Sequence, residues 1–270
     1  MSDPGKTLIE KLFSSEALLL AGIPLLAYFY TFRYEAGLAK VFGIPLSFID
    51  LDLRSGFIVA CAVAFGLAAL FFILNLIYVL VVVPFKGEEI IARRIWASFP
   101  LLVWFLAELV LFPSLSIRII SPLTALLFVT FFLFLMPLIT QRSKGGYLEK
   151  LKSSDATDAE SESLFRPALK YLGHKRASFL FWLMILLFIV YSAGQAQGMK
   201  QKEFFVLASS PNTVVLRIYG DKMICAPFNR GDRKVERSLI IHKTLGNRPL
   251  VLKLEEIGPL SLRLPRKAKK

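Results

Sequence analysis

The chain has 270 residues, 55% of them hydrophobic, with a mean hydropathy of +0.58 and a net charge of +13. A soluble domain is usually about 45–50% apolar, so this composition excludes an ordinary soluble protein and points to an integral membrane protein. The charge is uneven: residues 1–195 carry 17 Lys and Arg against 14 Asp and Glu, whereas residues 196–270 carry 16 against 6.

A bilayer core of about 30 Å takes roughly 20 apolar residues in a helix, because the backbone there must satisfy its own hydrogen bonds. Five runs fit this requirement and predict spans at about 17–32, 56–84, 95–112, 119–140 and 177–194. The first is a short run with a YFY aromatic belt, and it reads as an uncleaved anchor. Arg33 and Glu35 separate it from the small residues Gly37 and Ala39 that a signal-peptidase site would use.

Residues 34–53, YEAGLAKVFGIPLSFIDLDL, are mostly apolar but carry Glu35, Lys40, Asp50 and Asp52 around Gly43 and Pro45. The charges and the Gly-Ile-Pro break argue against a span. Tyr34 to Phe42 predicts a short interfacial helix, followed by an extended stretch in a membrane-hugging outer loop. This loop shares its predicted side with the C-terminal tail, which makes Asp50 and Asp52 candidate docking residues for that tail.

The side of each loop follows from its Lys and Arg content. With five spans, the N-terminus and the loops at 85–94 and 141–176 carry 13 such residues, against 4 in the loops at 33–55 and 113–118. The N-terminus is then cytoplasmic and the tail extracytoplasmic. Within the 141–176 loop, SSDATDAESES at 153–163 is polar and acidic and predicts a disordered cytoplasmic linker.

After Gly194 the hydrophobic period changes from helical to alternating. TVVLRIYGDKMICAPF at 213–228 carries Gly220-Asp221 between two β-rich runs, which is a hairpin signal. Together with EFFVLASS at 203–210, VERSLIIHKT at 235–244 and PLVLKLEEIGPLSLRL at 249–264, about five strands are expected in a small basic β domain over 200–270. The fold class is thus an α-helical membrane protein, 1–195, with a small mainly-β C-terminal domain.

Candidate chemistry is sparse. Glu108 is the one carboxylate inside a predicted span, and intramembrane ionisable groups are costly and often functional. Four residues from the end of its span, it reads either as an interfacial carboxylate meeting Arg118 or Arg54, or as a proton or cation site. Asn75 is the other candidate intramembrane polar residue, displaced from Glu108 in depth by roughly 20 Å at 1.5 Å per residue. Two histidines, His174 and His242, rule out a His-based metal cluster by count. The two cysteines, Cys61 and Cys225, lie in different settings and set no disulfide framework. The chain has no GxSxG, HExxH, paired CxxC or Gly-rich phosphate loop, and no cofactor is expected. Arg230-Gly231-Asp232 reads as a turn. RLPRKAKK at the C-terminus is a basic cluster whose Arg266, Lys267, Lys269 and Lys270 are candidate contacts for anionic lipid or an envelope polyanion.

The segment GLAKVFGIPLSFIDLDL at 37–53, followed directly by a long apolar run, resembles uncharacterised bacterial multi-pass inner-membrane proteins with an aromatic-Gly-Ile-Pro loop between their first two spans. The resemblance implies a bacterial cytoplasmic-membrane location and carries no activity. The function expected on these grounds is non-catalytic. A helical bundle, with homo-oligomers in prospect, anchors an extracytoplasmic basic β domain that binds a partner protein, an envelope component or the membrane surface. The alternatives are a channel, transporter or pore-forming effector, and then a membrane enzyme on lipid-linked substrate; no motif supports nucleic-acid binding.

Overall fold

The computed structural model describes residues 16–51, 89–112, 117–142, 145–160, 174–243 and 250–262, with isolated positions between 52 and 88. Its contacts divide the chain into two units, residues 1–67 with 190–270, and residues 68–189.

In the first unit, α1 (Glu16–Phe42) is one unbroken 27-residue helix. The short interfacial helix expected at 34–42 is therefore its last two turns. Leu38, Ala39 and Phe42 follow the 3-4 spacing of a buried helix face and are at most 1% exposed. The helix stops at Gly43, in the left-handed region at φ 67°. Ile44 N–H donates to Ala39 O at 2.9 Å and Gly43 N–H to Lys40 O at 3.4 Å, the paired bonds of a Schellman cap. A 3-10 turn, Leu46–Phe48, follows.

The final helix, α6 (His174–Lys200), enters this unit at residue 190 and runs parallel to α1. The two helices touch backbone to backbone. A Cβ on Gly37 would overlap the Tyr191 carbonyl oxygen, and one on Gly194 would overlap that of Tyr34. One turn on, Gly198 accommodates Val41 and Phe42. Gly194-x-x-x-Gly198 is thus the small-residue spacing that lets helices approach closely. Arg33 lies over the Tyr191 ring at 4.6 Å from its centroid.

Two residues after α6 the chain becomes a sheet of seven strands: β1 (Glu203–Leu207), β2 (Ser210–Tyr219), β3 (Lys222–Asn229), β4 (Lys234–Val235), β5 (Ile240–Lys243), β6 (Leu252–Glu256) and β7 (Ser261–Leu262). Its order is β6-β1-β2-β3-β4-β7, with β5 also on β3; all pairs are antiparallel except β4 with β7. The expected hairpin is present, with Tyr219 opposite Lys222 and Gly220 at φ 55° in the turn. Because β6 and β7 pair at opposite ends of the strand order but are joined by residues 257–260 alone, the sheet is rolled. Its inner face, Phe204, Val206, Val214, Leu216, Ile224, Ala226, Phe228, Val235 and Leu260, packs around Leu38, Ala39, Phe42 and Ile44. Phe42 meets Phe204 edge-on at 5.9 Å. The core of the β domain is therefore completed by a helix from the other end of the chain.

In the second unit, α2 (Glu89–Leu111), α3 (Ile117–Thr130), a π-helical turn (Phe131–Leu135), α4 (Met136–Thr140) and α5 (Tyr147–Glu160) accompany the first part of α6. Pro137 has no N–H for the Leu133 carbonyl four residues back. Arg94, 6% exposed, donates to that oxygen and to Leu151 O at 3.3 Å. Tyr147 Oη–H donates to Phe134 O at 3.3 Å. These bonds dock α5, whose Leu151 is fully enclosed. A disordered linker is expected from 153, but the helix continues to Glu160, because Ala156 and Ala159 are strong helix formers and Leu151 anchors the preceding turn. Residues 161–163 lie outside the described residues.

By length and composition, two described helices can cross a membrane, Ile120–Thr140 and Phe181–Lys200, and Ser98–Leu111 is a shorter apolar helix. Five spans are not supported by the described residues: α1 is partly a core helix of the β domain, and most of 56–84 lies outside them. What stands is a helical part with two apolar helices of spanning length, followed by a sheet domain.

Replacing Gly194 with Val should separate α1 from α6, since backbone cannot yield to a side chain. We expect a loss of at least about 2 kcal/mol, the overpacking range, read as a lower thermal midpoint in detergent; an unchanged midpoint would contradict the crossing.

Candidate functional site

Docking α1 inside the rolled sheet brings a carboxylate, Glu35, under β2. The sheet is adapted to it by a β-bulge. Val215 faces Cys225, but Arg217 faces Ile224, so Leu216 is the extra residue. In an unbroken strand Arg217 would point to the outer face; the bulge turns Arg217 and Tyr219 to the inner face, where Ile224 lies. Arg217 Nε–H then donates to Glu35 Oε2 at 3.0 Å and its Nη2 to Oε1, a two-point fork. Tyr219 Oη–H donates to Oε2 at 3.0 Å.

The pair is half-sheltered, with side chains 31% exposed for Arg217 and 14% for Glu35. Burial works against the Arg217 charge, but the hydrogen bond and negative charge of Glu35 outweigh it and hold the guanidinium more firmly protonated. Burial, then the Glu35 carboxylate, raises the Tyr219 phenol well above its ordinary value, keeping it a neutral donor. The arrangement joins helix to sheet and offers no nucleophile.

Beside this triad, β1 and β2 part and leave a cleft of about 390 Å³. Glu35, Arg217 and Tyr219 form its floor, Asp50 and Glu203 stand on its sides, and Phe205, Ile218 and Leu254 line it. These three apolar side chains are 43, 44 and 57% exposed. Asp50 reaches the hairpin turn: a Cβ on Gly220 would come within 3.3 Å of its Oδ2. A second hollow, of about 540 Å³, shares Gln201, Glu203 and Arg217 with the cleft and adds Lys200 and Lys202.

The sequence-derived candidates are thus dispersed. Asp50 lies at the cleft. Glu108, read as an interfacial carboxylate or as a proton or cation site, is enclosed in the helical unit at 4% exposure, where Trp104 Nε1–H donates to Oε1 at 3.3 Å. Asp52, Asn75, Arg266, Lys267, Lys269 and Lys270 lie outside the described residues. Glu35 and Arg217 escaped notice because a loop glutamate and a strand arginine are individually ordinary. The available signal was the apolar spacing of Leu38, Ala39 and Phe42, which continues the α1 face past Glu35. Cys225 is fully buried in a small outer cluster with Leu207, Val215 and Met223. Burial pushes its thiol up to about 11, which leaves little thiolate at neutral pH.

Glu35→Gln or Arg217→Met alone should cost roughly 1–3 kcal/mol, because each strands the other partner. The double variant should cost clearly less than the sum in a denaturant-unfolding cycle; strict additivity would mean the pair does not join helix and sheet. Native Cys225 should resist maleimide at pH 8 and react only after unfolding, as followed by peptide mapping that separates it from Cys61; prompt labelling of Cys225 would contradict its burial.

Compared with protein-family models, curated proteins and solved structures, the chain has no match.

Proposed function

We propose that this is a non-catalytic bacterial inner-membrane protein. Its helical bundle of about five spans holds a basic β domain on the extracytoplasmic side, where the domain binds a partner protein, an envelope component or the membrane surface. The observation that carries the proposal is the junction itself. α1 runs without a break from an apolar segment into the core of the β domain, clamped there by Glu35 and Arg217, and α6 packs against α1 through the glycine crossing before leading into β1. An engagement of the sheet is then transmitted to both helices, as a sensing or interaction role requires. The parallel course of α1 and α6 agrees with an odd number of spans between them, which five spans provide, and the Lys and Arg content of the loops favours a cytoplasmic N-terminus.

The second reading, a channel, transporter or pore-forming effector, has the enclosed Glu108 in its favour, since carboxylates at membrane depth commonly mark ion routes. The two readings separate cleanly. Under the first, deleting residues 201–270 abolishes partner capture by the full-length bait, and Glu108→Gln leaves it intact. Under the second, Glu108→Gln abolishes conductance or uptake in reconstituted vesicles. A reporter fused after Lys270 should be active outside the cytoplasm; activity inside would refute the orientation.

A further inference from the structure

We infer that the cleft between β1 and β2 binds a phospholipid headgroup bearing a primary ammonium, a phosphoethanolamine group, taken from the leaflet at which α1 and α6 end. The inference deepens the proposed function and rests on its placement of those two helices in a membrane.

The cleft lies at headgroup depth. The apolar run of α1 ends at Phe32, and that of α6 gives way after Tyr191 to Ser192, Gln195 and Gln197. The reciprocal packing of Gly37 on Tyr191 and Gly194 on Tyr34 sets these two ends level. Glu35, on the cleft floor, is three residues past Phe32, about 5 Å along a helix.

The charge of the cleft is opposite to that of the domain around it. Arg217 is the only cation in its described lining, and it is engaged by Glu35. Asp50 and Glu203, both exposed, then add negative charge to the cleft lining within a segment that is otherwise strongly basic. The adjoining hollow presents Lys200 and Lys202, with Glu203 and Glu256 also in its lining. Carboxylates and lysines side by side complement a zwitterion: the ammonium donates to Asp50 and Glu203, and the phosphate faces the lysines. The exposed Phe205, Ile218 and Leu254 offer the apolar edge that a glycerol backbone and the first methylenes need. The cleft volume of about 390 Å³ falls in the range of small-ligand sites, about 300–1,000 Å³. Phosphocholine has no N–H to donate, and phosphoglycerol has no cation, so the site should discriminate against both.

The test uses the full chain in nanodiscs containing equal parts phosphatidylethanolamine, phosphatidylcholine and phosphatidylglycerol, with retained lipid identified by native mass spectrometry after detergent release. Phosphatidylethanolamine should be retained roughly tenfold over each competitor, the order of one charged hydrogen bond. Asp50→Asn with Glu203→Gln should reduce it to the phosphatidylcholine level; both positions are exposed, and an unchanged circular dichroism spectrum verifies the fold. Equal retention of all three lipids, enrichment of phosphatidylglycerol through the basic domain at large, or unchanged selectivity in the double variant would each overturn the inference while leaving the proposed function standing. If carbonate extraction strips the chain from membranes, the membrane placement itself fails, and the lipid site with it.

Discussion

The ion pair between Glu35 and Arg217 is the constraint around which the C-terminal unit is arranged. Extending α1 into the rolled sheet buries Leu38, Ala39 and Phe42, but it also carries a carboxylate to the mouth of that core. A charge so placed is costly unless it is paired and hydrogen-bonded. The bulge at Leu216 supplies the remedy by turning Arg217 and Tyr219 inward. One extra residue in a strand thus decides whether a helix from the other end of the chain can complete the core. The glycine crossing is its counterpart on the helical side: close approach at Gly37 and Gly194 seats α6 directly on the helix that fills the sheet.

The helical unit obeys the same rule of backbone satisfaction by different means. Pro137 offers no N–H to the Leu133 carbonyl within the π-helical turn, and Arg94 meets it. Because the same guanidinium reaches Leu151 O, and Tyr147 reaches Phe134 O, repairing the helix also docks α5. Polar groups in both units therefore act as fasteners between elements.

Much of the architecture was legible in the residues. Unbroken apolar runs mark long helices because hydrocarbon tolerates no unpaired backbone, and Gly220-Asp221 marks the hairpin because only a small set of residues accepts its turn. The continuation of α1 to Phe42 was partly legible in its apolar spacing, but the charges Glu35 and Lys40 disguised it as loop. The helix over Tyr147–Glu160 was obscured by its polarity: its place depends on Leu151 and on a distant arginine. Of the cleft, Asp50 stood out beforehand as a docking residue, whereas the pairing of Glu35 with Arg217 did not, since the two are 182 positions apart.

Composition and period alone determined an apolar, helix-patterned first two thirds and a β-patterned, basic remainder, because hydropathy and alternation are local properties. Only the tertiary structure decided what residues 34–51 do in the fold. The run from Tyr34 to Phe42 is the central helix of the β domain, and Asp50 borders its cleft. That outcome rests on contacts between residues far apart in sequence, and on a single bulge that reverses which face of β2 a side chain takes, which no local pattern encodes.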